Sequence, residues 1–242
     1  MRGVLADRAR LQRMLDFEVA LARAEAAVGV IPASAVDPIA NAAHAERFDL
    51  AGLEEAAIRA GNVMVPLIEA LTAEVSKSDA KAAQFVHWGA SPEDGIDTAL
   101  VLDLKAAVET LTSELNRAID SFADQAGRHR RTAIVGRTSL QHASPMPLGL
   151  KLAGYAAALA RSRERLRRAR RESLVLQFGG SVGTLAAFNE RGMDVAERLA
   201  ALLDLPCRTP PGPPIATDWP RSPPASPFSP APAARSHVTY RS

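Results

Sequence analysis

Apolar residues recur at three- and four-residue steps along most of the first 205 positions, and two stretches carry the pattern furthest. From Asp97 to Ala126, Leu100, Leu104, Ala107, Val108, Leu111, Leu115, Ala118, Ile119 and Phe122 make one stripe over about eight turns without a breaker. From about Leu148 to Leu176, Leu148, Leu152, Tyr155, Leu159 and Leu166 fall on one side. Helices this long need a partner along their length, so the pattern predicts a bundle. Shorter helices are expected over Asp7–Val28, from Ser34 to about His44, from an Asp49 cap to Gly61, from Pro66 to about Val75, over Asp79–Phe85 and near Glu190–Leu203. Three polar, glycine-containing loops separate the long elements: one opening at His87, one over Gly136–Pro147 and one over Phe178–Gly183. No strand-like alternation of useful length and no internal repeat is found. The expected fold class is therefore all-α, an elongated helical bundle.

Composition agrees and narrows the function. Hydrophobic residues make 47% and aromatics only 5%, a mix that favours helices over a β-sandwich. The single cysteine, Cys207, excludes a disulfide framework and a multi-cysteine metal site. No apolar run approaches a membrane span, and the N-terminus MRGVLADRAR lacks the apolar core of a signal peptide, so a cytoplasmic protein is expected. Near Leu205 the character changes: residues 206–242 hold 11 of the 17 prolines and have no period. Of the chain's 29 Lys+Arg and 27 Asp+Glu, this tail holds four and one, leaving 25 against 26 before it. A body so close to neutral does not describe a nucleic-acid binder. The expected division is a helical domain over 1–86, a long-helix bundle over 87–205 and a disordered Pro-rich tail over 206–242. The Pro, Arg, Ser and Ala of the tail fit GC-rich coding sequence read out of frame, with a chain inactive alone; the alternative is a Pro-rich ligand for an SH3-like partner.

Chemistry concentrates in the loops. In HWGASPEDGIDTA, His87 can act as acid, base or donor to a carboxylate, and Ser91 stands where free helix amides favour anions. The competing reading is that Ser91, Glu93, Asp94 and Asp97 simply cap the following helix. In GRTSLQHASP, Arg137, Thr138, Ser139, Gln141 and His142 gather within six residues, which suits an oxyanion or carboxylate pocket as well as a solvated turn. QFGGSVGTLAAF lacks the Lys-Ser/Thr ending of a phosphate loop, and close helix approach explains its glycines better. The seven arginines of RSRERLRRARR run round most of a helix and read as a solvated or intersubunit face. No His/Asp/Glu grouping has zinc spacing, and no metal is expected.

Taken in order, the three loops resemble the fumarase/aspartase superfamily. HWGASPEDGIDTA is similar to its first signature, GRTSLQHASPMPLGLKLAGY to its second, and LVLQFGGSVGTLAAF to the segment after the second long helix. Within the superfamily the combination looks most like the 3-carboxy-cis,cis-muconate cycloisomerases. The resemblance covers about Arg8 to Leu205. It implies a homotetramer around a central bundle, sites built from three subunits, a small tricarboxylate substrate, lactonisation in protocatechuate breakdown (the β-ketoadipate pathway), and neither metal nor organic cofactor. The shared chemistry is proton transfer beside a carboxylate through an enolate-like dianion. It implies His87 as catalytic, with Ser91, Arg137, Thr138, Ser139 and Gln141 binding substrate. Two departures stand out. Ser91-Pro92 replaces the usual Thr-Ser, and Ser139 stands where the lyases carry a catalytic histidine, which speaks for the cycloisomerase branch. The third signature, Ser-Ser-x-x-Met-Pro-x-Lys, does not occur in these 242 residues. The alternatives are a fumarate-releasing lyase of adenylosuccinate or argininosuccinate type, and a non-catalytic helical oligomerisation module.

Overall fold

The structure is a computed structural model that describes residues 3–207. Its described residues form seven helices and one hairpin: α1 Asp7–Ala27, α2 Val36–Ala42, α3 Leu50–Ala60, α4 Met64–Ser76, α5 Pro92–Arg128, β1 Ala133–Thr138, β2 Gln141–Pro147, α6 Leu148–Ser173 and α7 Gly192–Leu202. Short 3₁₀ turns link several of them. The expected Pro-rich tail lies outside the described residues, apart from Pro206 and Cys207.

Local chemistry explains the boundaries. Asp49 accepts the Ala51 amide to start α3, and Gly61 at φ +68° ends it in the left-handed region. α5 begins at Pro92, five residues before the apolar stripe that announced it. Ser91 and Asp94 form a reciprocal capping box, and proline sits in the first turn where no amide is missed.

The core is a single cluster. Leu11, Met14, Leu15, Phe17 and Leu21 of α1, Leu67 and Leu71 of α4, Ala99 and Val101 of α5 and Val195 and Leu199 of α7 all belong to it. The buried residues of α5 are Asp94, Gly95, Thr98, Ala99, Val101 and Asp103, all within its first twelve positions. Beyond Lys105, whose Nζ donates to the Leu203 and Asp204 carbonyls, the helix leaves this body and runs along α6. Arg13 pins the departure point with a 2.6 Å ion pair to the buried Asp103.

The expectation of no strand is overturned. Residues expected as a loop, Gly136–Pro147, lie largely in an antiparallel hairpin between α5 and α6. Thr138 pairs with Gln141, and Ser139 and Leu140 turn the chain at φ +49° and +61°, the two-residue geometry that matches strand twist. The register shifts between Val135 and Arg137, where Gly136 faces Ala143 and Ser144. A Cβ on Gly136 would meet the Ser144 carbonyl at 2.5 Å, so the bulge requires glycine. The hairpin ends by handing the Leu148 and Gly149 amides to the carbonyls of Thr132 and His129, which satisfies the entrance of α6. The class remains dominantly helical.

Candidate active site

Two groups of candidate residues emerge, and α5 separates them. His87 and Ser91 lie just before its N-terminus; Arg137, Thr138, Ser139 and Gln141 lie on the hairpin that follows its C-terminus. A helix of 37 residues spans about 55 Å at 1.5 Å per residue. No small substrate bridges that distance, so one chain alone does not bring the two groups together.

The first group is built into the core. Ser91 is buried; its oxygen accepts the Asp94 amide, while the Asp94 carboxylate accepts the Ser91 amide at 2.9 Å. Asp94 also accepts the amides of Gly179 and Gly180, each at 2.9 Å, and the Thr98 hydroxyl donates to the Gln177 carbonyl at 2.7 Å. The Gln-x-Gly-Gly segment is therefore a clasp on the first turn of α5. Its glycines let backbone approach a carboxylate closely. His87 sits in the left-handed region at φ +55°, uncommon for a side-chain-bearing residue. Its Nδ1 lies 2.7 Å from Glu18 Oε1 of α1, and both side chains are almost fully buried. Burial pulls the His87 pKa down, but the Glu18 charge and hydrogen bond, the Asp94 charge and the nearby Ser91 backbone carbonyl outweigh it and hold it above its ordinary value. Its Nε2 is buried and has no partner among the described residues.

The second group is exposed. Arg137, Thr138, Ser139, Gln141 and His142 all lie at the surface around the hairpin tip, where Leu140 is fully exposed. Polar side chains held on a rigid two-stranded arm are donors presented outward, away from their own chain.

Sequence reasoning missed Glu18 and Glu25. Both are fully buried on α1. The signal was present: the stripe Leu11, Met14, Leu21 and Val28 has carboxylates at 18 and 25, where helical spacing asks for apolar residues. Buried carboxylates in an apolar stripe mark function or strain.

A lyase family model matches residues 1–212. The chain is 61% identical over 206 residues to a 3-carboxy-cis,cis-muconate cycloisomerase of Bradyrhizobium diazoefficiens, covering 85% of this chain and 46% of that protein. It is 37% identical over 205 residues to an adenylosuccinate lyase of Methanocaldococcus jannaschii, covering 85% and 45%. Among solved structures, the 3-carboxy-cis,cis-muconate lactonizing enzyme from Pseudomonas putida superposes with a TM-score of 0.85 at 47% identity, over 88% of this chain and 48% of that one. The chain thus spans about half the length of the curated relatives it matches. With that match running through the helical body, both loop groups and the glycine clasp, the chain belongs to the lyase family.

Proposed function

We propose that this chain is a 3-carboxy-cis,cis-muconate cycloisomerase, closing its tricarboxylate substrate to a carboxymuconolactone in protocatechuate breakdown. One observation carries the choice of reaction: identity to a cycloisomerase is 61%, against 37% to an adenylosuccinate lyase. Ser139 in place of the lyases' histidine supports it. In this reading the site forms in a homotetramer in the cytoplasm, with the hairpin of one copy brought to the α5 entrance of another. The long-helix region 87–205 supplies the bundle and 1–86 the supporting helical domain.

The chemistry asks for positive charge and donors around carboxylates. One substrate carboxylate adds to a carbon–carbon double bond; a C–O bond forms, the π bond breaks, and a proton is delivered to the carbon beside a carboxylate. The ionised tricarboxylate takes up one proton, drawn from solvent, and no other atom is lost or gained. Between these events negative charge collects on that carboxylate, and donors fixed in advance stabilise it more than they stabilise the substrate. His87 supplies the cationic donor from the α5 entrance. Arg137, the Thr138 and Ser139 hydroxyls and the Gln141 amide supply donors from the hairpin. Ser91 adds a hydroxyl hydrogen, its oxygen being engaged in capping.

The test is lactonisation of 3-carboxy-cis,cis-muconate, followed by the loss of the diene absorbance. The 242 residues are expected to be inactive alone, because the third signature is missing from them, so every lactonisation assay uses the chain extended to carry that signature. The extended chain should convert the substrate, and Thr138→Val with Gln141→Leu should lower kcat/KM by at least 100-fold without loss of helicity. Release of fumarate from a succinyl substrate in preference would favour the lyase reading. Assembly without binding of either substrate would favour an oligomerisation module.

A further inference from the structure

The geometry around His87 assigns a partner that the reading above does not use. Glu18 lies on α1, 69 residues earlier, yet its Oε1 is 2.7 Å from His87 Nδ1 in a nearly closed environment. A carboxylate only accepts, so Nδ1 carries the proton and donates. That fixes the ring plane with Nδ1 protonated, and leaves the Nε2–H of the imidazolium as the working donor. Nε2 is buried without a partner among the described residues, and a buried polar atom left so costs about 1–3 kcal/mol. The backbone at His87 is itself held in an uncommon conformation, on a partly exposed loop beside the exposed Trp88. Strain, a fixed ring plane and an unmatched nitrogen on one ring are the features of a group set up for a ligand.

We propose that Glu18 is the positioning residue for His87: it holds the ring by Nδ1 so that Nε2 is presented to a carboxylate of the substrate. This rests on the cycloisomerase reading and deepens it. The charged groups acting on the ring are Glu18 from α1 and Asp94 from α5. Asp94 is already committed to three backbone amides. Glu18 is therefore the group whose removal changes the ring while leaving the α5 entrance intact. A purely structural pair would tie the loop to α1 and nothing more.

The experiment compares the full chain with Glu18→Gln and Glu18→Asp. It uses ¹⁵N chemical shifts of the His87 ring, assigned with His87→Gln, across pH and on addition of 3-carboxy-cis,cis-muconate. Lactonisation kinetics across the same pH range accompany it. In the wild type, Nδ1 should stay protonated and the tricarboxylate should move the Nε2 resonance. Glu18→Gln keeps an acceptor but removes the charge. It should lower the ring's titration midpoint, raise KM at least tenfold at neutral pH and move the alkaline limb of kcat/KM toward acid by the same interval. Glu18→Asp should restore part of each. An unchanged His87 titration, or a superimposable pH profile with unchanged KM, in Glu18→Gln would overturn the assignment while the wild type remains active. A wild type that neither binds nor converts the tricarboxylate would instead sink the functional reading. If Glu18→Gln does not fold, the wild-type ring decides: a proton on Nε2 with Nδ1 bare, or an Nε2 blind to substrate, overturns the proposal.

Discussion

Glu25 has neither oxygen hydrogen-bonded among the described residues, although it is fully buried in α1. Burial first, and the Glu18 charge second, push its pKa from 4.5 to about 9. The folded chain thus keeps a proton that the unfolded chain releases near pH 4.5. Across that interval the native state binds more protons, so stability falls as pH rises. Glu25→Gln removes this dependence. Urea unfolding at pH 5 and pH 8 should show the wild type losing on the order of 3 kcal/mol more than the variant over that step. His87 titrates in both proteins and cancels in the comparison; parallel losses would show that Glu25 finds a partner or water. Asp94 is the opposite case, a buried carboxylate with three amide donors. Asp94→Ala leaves those donors unmatched and should cost on the order of 4 kcal/mol in the same assay, since hydrogen bonds to charged groups are worth about 1.5–3 kcal/mol each. A cost below about 1 kcal/mol would mean that the glycine clasp does not depend on it. Ser91 and Asp94 were legible as a cap from spacing alone. The role of Asp94 toward Gly179 and Gly180 was not, because a contact across 85 residues leaves no local pattern.

At the scale of elements, the long helices were legible because an unbroken stripe over many turns has no competing explanation. α5 and α6 each lie between the same loops the pattern implied, with ends displaced by a few residues: caps, not stripes, set where α5 starts, and Leu174 leaves the helix before the apolar pattern stops. The hairpin was not legible, for three physical reasons. β2 carries Pro145 and Pro147, which argue against a strand. The bulge at Gly136 interrupts the two-residue alternation. The turn is made by Ser139 and Leu140 rather than by the Asn-Gly or Asp-Gly that announces such turns. Glycines test the joints. At Gly149 a Cβ would meet the Ala126 carbonyl at 2.5 Å, and at Gly154 it would meet nothing within 4 Å. Gly149→Ala should therefore destabilise by about 1–3 kcal/mol, the usual cost of overpacking, through separation of the α5–α6 junction. Gly154→Ala, in the interior of α6, should be neutral or stabilise by up to about 1 kcal/mol. Thermal melts of the two variants decide it, and equal shifts would refute the close approach at residue 149.

At the scale of the whole molecule, the chain is a packed body from which a two-helix arm extends. α6 has one buried residue, Gly149, and the stripe that predicted α5 is only half-covered: Leu104, Leu115 and Phe122 are partly buried and Leu111 is 42% exposed. Tyr155 shields Phe122 from one side, with ring centroids 5.7 Å apart, yet is itself exposed, as is Leu150. A helix pair that leaves a stripe of leucines open along its length presents surface that monomers rarely carry. The separation of the two candidate groups by the length of α5 points the same way, since only another copy can bring a hairpin to an α5 entrance. Self-association through this arm is the expected outcome. Sedimentation velocity at micromolar concentration should give a species heavier than the 25.7 kDa monomer. Leu111→Glu with Leu150→Glu should return it to the monomer mass by placing charges in the contact, while the ellipticity of the packed body persists, because neither residue belongs to its core. Loss of lactonisation in the same variant, with His87, Thr138 and Gln141 unaltered, would tie activity to assembly. A monomeric wild type, or a charged variant that stays assembled and active, would remove the shared site and require each chain to hold both groups by some other route.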